Sequence, residues 1–369
     1  MRPPLRDCKK IQLGNYACSQ NPQFRKGEEC SLKLHSHTFG GKSRVASLVW
    51  DAIGDVDNYI EPFAGSLAVL LGRPSDTEGC ETVNDADCYL ANFWRAISHA
   101  PDEVAKWCDW PVNEVDLLSR HLWLVDTGKK RIGSMESDPD FYDAKVAGWW
   151  VWGIAAWIGS GWCVGNGPWK VINGEVVKTK GAGGQWRQLP HLGDEGRGVN
   201  RKLPHLGNEG QGGTVNAPLI QYFHQLADRL RKVRVCCGDW SRVVTNGAMS
   251  YGGTVGVFLD PPYLGDVRCK DLYRVDNHDI AHSVREWAIA NGDDPRMRIV
   301  LAGYHAEHAD KMPASWRMHS YSASKAYGTT RAVGEKEGND ANRHNERLWF
   351  SPNCLDSNES SLFGIGARA

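Results

Sequence analysis

Apolar and polar positions along the chain recur with two different periods, and their order predicts alternating helices and strands. In "SRVASLVWDAI" (residues 43–53), Val45, Leu48, Val49, Ala52 and Ile53 fall on one face at helical spacing. Ser43 stands where a helix cap belongs, and Gly54 is the stop signal. "NYIEPF" then reads as a short strand ending at Glu61, "AGS" as a turn, and "LAVLLGR" as a helix closed by Pro74. "CETVNDAD" reads as a second strand ending on Asn84 and Asp85, followed by the helical "CYLANFWRAISHA". Strand, turn and helix repeated in this way form the unit of a parallel sheet.

Between about residues 96 and 228 the alternation is lost, and ten of the 16 tryptophans fall there, which predicts a helical, aromatic-rich insertion. Its most apolar stretch, "VAGWWVWGIAAWIG" (146–159), is shorter than the ~20 residues a membrane-spanning helix needs and is expected to be a buried helix. A glycine-rich repeat follows, "LPHLGDEGRGV" from Leu189 and "LPHLGNEGQGG" from Leu203, which reads as a surface loop or as a loop that orders against nucleic acid. "APLIQYFHQLADRLRKV" is an amphipathic helix whose end is rich in cations: Arg229, Arg231, Lys232 and Arg234. Strands resume with "VRVCCGDW", "VGVFLDPPY", "RMRIVLAGY" and "ERLWFSP". The expected division is an arm (1–34), a sheet domain (35–95 and 230–352), a mainly helical insertion (96–229) carrying the glycine-rich loop (181–214), and a tail (353–369).

Composition narrows the class. With 41% apolar and 24% charged residues the chain is globular, and a net charge of -1 excludes a protein that is basic overall while leaving room for a local basic face. Eleven cysteines without a CxxC pair point to free thiols in a reducing cytoplasm, and "MRPPLRDCKK" is not followed by the apolar core of a signal peptide.

The strand ends carry the candidate chemistry. In an open α/β sheet, ligands bind beyond the carboxyl ends of the strands. Glu61, Asp85, Asp239 and Asp260 each follow an apolar run, with Gly65 in the first turn, a set that suits a nucleoside-like ligand. Asp85, ending the second strand, suits a ribose diol or else caps the next helix. After Asp260, Pro261 and Pro262 hold the backbone extended with carbonyls free, and Tyr263 supplies a ring. A carboxylate, a fixed carbonyl and a ring make a receptor for an amino group on a flat base. Two other motifs are weaker. "FGGKS" lacks the glycine spacing of a phosphate loop, and "HDIAH" (278–282) has paired histidines but Asp279 in place of a zinc protease's glutamate, so no metal is expected.

"FGGKS", "YIEPFAGS", "VNDAD" and "DPPY", in that order, resemble the four motifs of the Dam-type (D12 class) N6-adenine DNA methyltransferases, and "NERLWFSP" is similar to that family's end. The resemblance covers about residues 35–95 and 230–352. It implies an α/β, Rossmann-like methyltransferase sheet that binds S-adenosyl-L-methionine, with an inserted, mainly helical target-recognition domain. Phe39, Gly41, Lys42, Glu61, Phe63, Gly65, Asp85, Asp239 and Asp260 are then expected around the methyl donor, and Asp260, Pro261, Pro262 and Tyr263 at the reacting amino group. Leu67 stands where the family has its second glycine, and Thr38 where it has an aromatic.

The implied activity is methylation of adenine N6 in double-stranded DNA after base flipping, without a metal, in a bacterial host's cytoplasm, with Arg229, Arg231, Lys232 and Arg234 expected on phosphates. A monomer is slightly favoured. The alternatives are a DNA-binding protein with a degenerate methyltransferase fold, or methylation of cytosine N4 or RNA. Asp260 favours adenine, because cytosine N4 enzymes more often resemble "SPPY".

Overall fold

The computed structural model describes residues 42, 45–74, 79–138, 140–157, 162–163, 169–172, 175–178, 216–250, 252–262, 277–321 and 346–356. The chain begins its regular structure with α1 (Ala46–Ile53), β1 (Asn58–Glu61), β2 (Cys80–Asp85) and α2 (Cys88–His99). Between β2 and β5 come α3 (Pro101–Cys108), α4 (Glu114–Trp123), α5 (Lys129–Ile132), α6 (Ala144–Ala156), β3 (Trp169–Ile172), β4 (Glu175–Lys178) and α7 (Asn216–Leu230). The second half comprises β5 (Val233–Cys237), α8 (Asn246–Met249), β6 (Val255–Leu259), α9 (Asn277–Asn291), β7 (Met297–Tyr304), α10 (His305–His308), β8 (Arg317–Ser320) and β9 (Glu346–Phe350).

Seven strands form one sheet in the order β5-β2-β1-β6-β7-β9-β8, while β3 and β4 pair as a separate hairpin. The pairings from β5 through β7 are all parallel, and only β9 runs against its two neighbours. The result is a mostly parallel α/β sheet, compatible with a Rossmann-like fold, and its strand order reverses between β1 and β6. At such a switch point the loops leaving adjacent strands diverge and open a crevice at the carboxyl edge.

Alternation along the central strands explains why both faces are covered. Tyr59, Phe258, Val300, Ala302, Leu348 and Phe350 point into one core, shared with α1, α2 and α7. Ile60, Val257, Leu259, Ile299, Leu301 and Trp349 point into the other, closed by Ile280, Val284 and Ala288 of α9. A strand buried on both faces reads as a continuous apolar run, as "VGVFL" does. Helix α6, apolar almost all round, lies between α2 and α3; any side chain at Gly148 would strike Trp107 and the Val104 carbonyl. Among the described residues no helix is long and apolar enough to cross a membrane.

Three local expectations change. Val45, not Ser43, stands at the α1 cap position, without a side-chain cap, and Ser43 lies outside the described residues. "LAVLLGR" forms only a 3-10 turn at Leu70–Gly72, because the chain leaves β1 through left-handed residues at Gly65 and Leu67 that a continuous helix cannot contain. Asp87, not Asp85, caps α2 by accepting from the Tyr89 amide. The repeat at 189–213 lies outside the described residues.

Candidate active site

Three parallel strands deliver acids to the carboxyl edge at or beside the switch point: Glu61 ends β1, Asp85 ends β2, and Asp260 follows β6. The antiparallel β9 adds a fourth by the opposite logic. Its first residue, Glu346, sits opposite Tyr304 at the carboxyl end of β7, and Tyr321, just past β8, lies beside it.

Lys42 ties this edge together. Its ammonium lies 3.3 Å from Asp260 Oδ1 and 3.3 Å from Glu346 Oε2, and it donates to the Tyr321 hydroxyl at 2.7 Å. Burial opposes its charge, but Asp260, Tyr321 and Glu346 outweigh that penalty and hold the ammonium above its ordinary range. The ion pair holds the Asp260 carboxylate beside the Lys42 ammonium. Burial pushes the Tyr321 phenol upward, so it stays a neutral hydroxyl.

Glu61 is 2% exposed and accepts from the Tyr59 hydroxyl at 3.0 Å. Burial, with the charge of Asp260 adding to it against the Tyr59 hydrogen bond, raises its carboxyl to about 8. Burial also raises Asp85 and lifts Asp87 to about 7. Asp85 organises the turn after β1: Oδ2 accepts the Gly65 amide at 3.0 Å and Oδ1 the Asp87 amide at 2.8 Å. The Ala86 amide also favours the Asp85 charge, and a carboxylate with about four acceptor sites keeps capacity for a ligand beside these three amides.

Gly65 has φ +48°, and among the described residues a Cβ placed there would meet nothing within 4 Å. Leu67 keeps the left-handed backbone of a glycine at φ +57° while its side chain is fully buried. The strain, ~1–2 kcal/mol, is offset by burying a leucine, ~1.5–3 kcal/mol. The turn therefore follows a glycine-like path at Leu67.

The remaining expected residues divide clearly. Phe63 is buried and stacks on Trp240 with centroids 6.1 Å apart, supporting the turn from behind. Asp239 is exposed and caps a 3-10 turn through the Ser241 amide at 2.9 Å. Pro261 is buried and Pro262 half-buried beside Asp260, whereas Phe39, Gly41 and Tyr263 lie outside the described residues. The basic cluster is not at this edge. Arg229 is engaged by Glu81 Oε2 at 2.7 Å and by the Leu70 carbonyl at 3.0 Å, and Arg231 pairs with Asp228 at 2.8 Å. With Lys232 and Arg234 these residues surround the amino end of β5, the end of the strand opposite to the crevice.

Sequence reasoning missed Tyr321 and Glu346. Glu346 opens the apolar "ERLWF", so an acid at the start of a strand was the available signal, but it points to the site only once β9 is known to be antiparallel. Among the described residues no cluster of three or more His, Cys, Asp or Glu side chains is arranged to hold a metal ion. A scan against protein-family models finds no match, and a search of curated proteins finds none either.

Proposed function

We propose that the chain is an S-adenosylmethionine-dependent methyltransferase acting on an exocyclic amino group, adenine N6 in DNA. The observation that carries this reading is the placement of Asp260. It sits at the switch-point edge, is held by Lys42 at 3.3 Å, and is followed by two prolines that hold the backbone extended and lack N–H groups.

The residues at the crevice fit the methyl donor. Glu61 and Asp85 are acids suited to a cationic nucleoside and its ribose diol, and among the described residues no atom crowds the position a Cβ would take at Gly65. Lys42, Glu61, Gly65 and Asp85 would hold the donor, which supplies a methyl group on a positively charged sulfur. Asp260 and the Pro261 carbonyl would accept the two amino hydrogens. The nitrogen lone pair, otherwise delocalised into the ring, would then be turned toward the methyl for in-line attack. The role of Lys42 is to fix the rotamer of Asp260, with Tyr321 and Glu346 positioning Lys42 in turn. Because the amino group is out of reach inside a duplex, the base must be flipped out. Residues 96–229 are the proposed target-recognition region.

The test is transfer of tritium from labelled S-adenosylmethionine to DNA. Wild type should label adenine, and Asp260→Ala should lose at least ~100-fold in rate, the scale of removing one positioned hydrogen-bonding group, while still binding DNA. Undiminished labelling by the variant would remove Asp260 from the chemistry. A wild type that binds DNA but takes up no S-adenosylmethionine would instead be a binding protein on a methyltransferase-like sheet.

A further inference from the structure

The cations at the amino end of β5 face away from the crevice, so a nucleic-acid partner needs another surface. Helix α5 supplies consecutive exposed cations, Lys129, Lys130 and Arg131. Beside it lies a row of half-buried indoles interleaved with lysines. Lys145 sits 4.3 Å from the Trp149 ring centre, 4.7 Å from Trp123 and 5.2 Å from Trp107. Lys106 extends the row beyond Trp107 at 5.9 Å, and Arg131 closes it over Trp123 at 5.9 Å. From behind, Arg120, 5% exposed, holds Trp149 at 4.9 Å.

This row reaches the correct edge of the sheet. The Tyr89 hydroxyl, in the first turn of α2, donates to the Leu124 carbonyl at 2.6 Å, which anchors the segment leading into α5. Lys129 is close enough to Asp87, two residues past the end of β2, to favour that residue's charged form.

Resting on the methyltransferase reading, we propose that α5 and the flanking lysine–tryptophan row are the surface that takes the sugar-phosphate backbone of duplex DNA. Cations supply sequence-independent attraction, and the aromatic faces between them give flat apolar contact for sugars and for bases that leave the stack. Among the described residues, three acids pair with these groups. Glu103 lies 3.8 Å from Lys106, Asp126 2.7 Å from Lys130, and Asp143 2.6 Å from Arg131. The first two pairs are solvent-exposed, and such pairs add little stability and exchange readily for phosphate. Asp143 is buried and caps α6, so Arg131 also has a structural duty.

The experiment therefore spares Arg131. Lys106→Gln/Lys129→Gln/Lys130→Gln is compared with Arg231→Gln/Lys232→Gln/Arg234→Gln on a mixed-sequence duplex over a range of salt, with melting curves and S-adenosylmethionine calorimetry alongside. The first variant should melt and take up S-adenosylmethionine as wild type does. Its slope of log affinity against log salt should be shallower by ~2–3, with at least a tenfold loss of affinity at low salt, while the second variant keeps the wild-type slope. A slope lost only in the second variant, or a wild type that does not bind the duplex, overturns the surface. If wild type takes up no S-adenosylmethionine but the slope responds as described, the surface stands and the methyltransferase reading falls.

Discussion

Burial gives Glu61 a proton that an exposed glutamate would lack at neutral pH. Its folded-state carboxyl is raised from the ordinary 4.5 to about 8, so between those values the folded chain holds a proton that the unfolded chain has released. Stability must then fall as pH rises through that window and level off above it, by on the order of a few kcal/mol at ~1.4 kcal/mol per unit. Glu61→Gln keeps the shape and removes the titration. It should melt higher than wild type at pH 8 and show a flatter dependence of melting temperature on pH, read by calorimetry between pH 5 and 9. A variant as pH-dependent as wild type would place the titration in Asp85 and Asp87 instead. At this scale the sequence was readable where a residue ends an apolar run, as Glu61, Asp85 and Asp260 do. It was unreadable where the signal is conformational: nothing in the letters "GSL" says that Leu67 takes a left-handed backbone and still buries its side chain.

Among the elements, the strands that pack on both faces were legible from continuous apolar runs, and β8 was not. Its sequence "RMHS" lies at the sheet's edge with mostly exposed side chains, so neither alternation nor apolarity marks it. The end of α7 was misleading for a related reason. A cluster of four cations reads as a binding face, yet one of them belongs to a structural clamp. Glu81, at the amino end of β2, is gripped by Arg73 at 3.0 Å and by Arg229 at 2.7 Å, and Arg229 also ties the 3-10 turn through Leu70. Removing Arg229 strips one partner from a nearly buried carboxylate. Arg229→Ala should therefore lower unfolding free energy by ~1–3 kcal/mol in urea titrations. Arg231→Ala, at an exposed pair, should stay within ~0.5 kcal/mol. Equal, small effects would remove the clamp.

At the scale of the whole molecule, strand order brings distant residues into one crevice, and the charges collected there set how a ligand must bind. Lys42, Glu61, Asp85, Asp260 and Glu346 come from both ends of the described chain and meet only because the sheet reverses between β1 and β6 and because β9 runs backwards. Lys42 balances Asp260 and Glu346 at that edge but leaves Glu61 to stay protonated. A cationic nucleoside placed against Glu61 favours the ionised carboxylate, so uptake should release a proton. S-adenosylmethionine affinity should then rise with pH below about 8 and level off above it, where Glu61 is already ionised in the free protein. Calorimetry in buffers of different ionisation enthalpy reads the released proton directly. Glu61→Gln should bind more weakly and lose both the pH dependence and the proton. S-adenosylhomocysteine, which lacks the sulfonium charge, separates the contribution of that charge: if it releases as many protons as S-adenosylmethionine, Glu61 responds to another part of the ligand than the methyl-bearing sulfur. If neither ligand releases a proton, Glu61 does not face the cation, and the buried carboxyl belongs to the support of the turn.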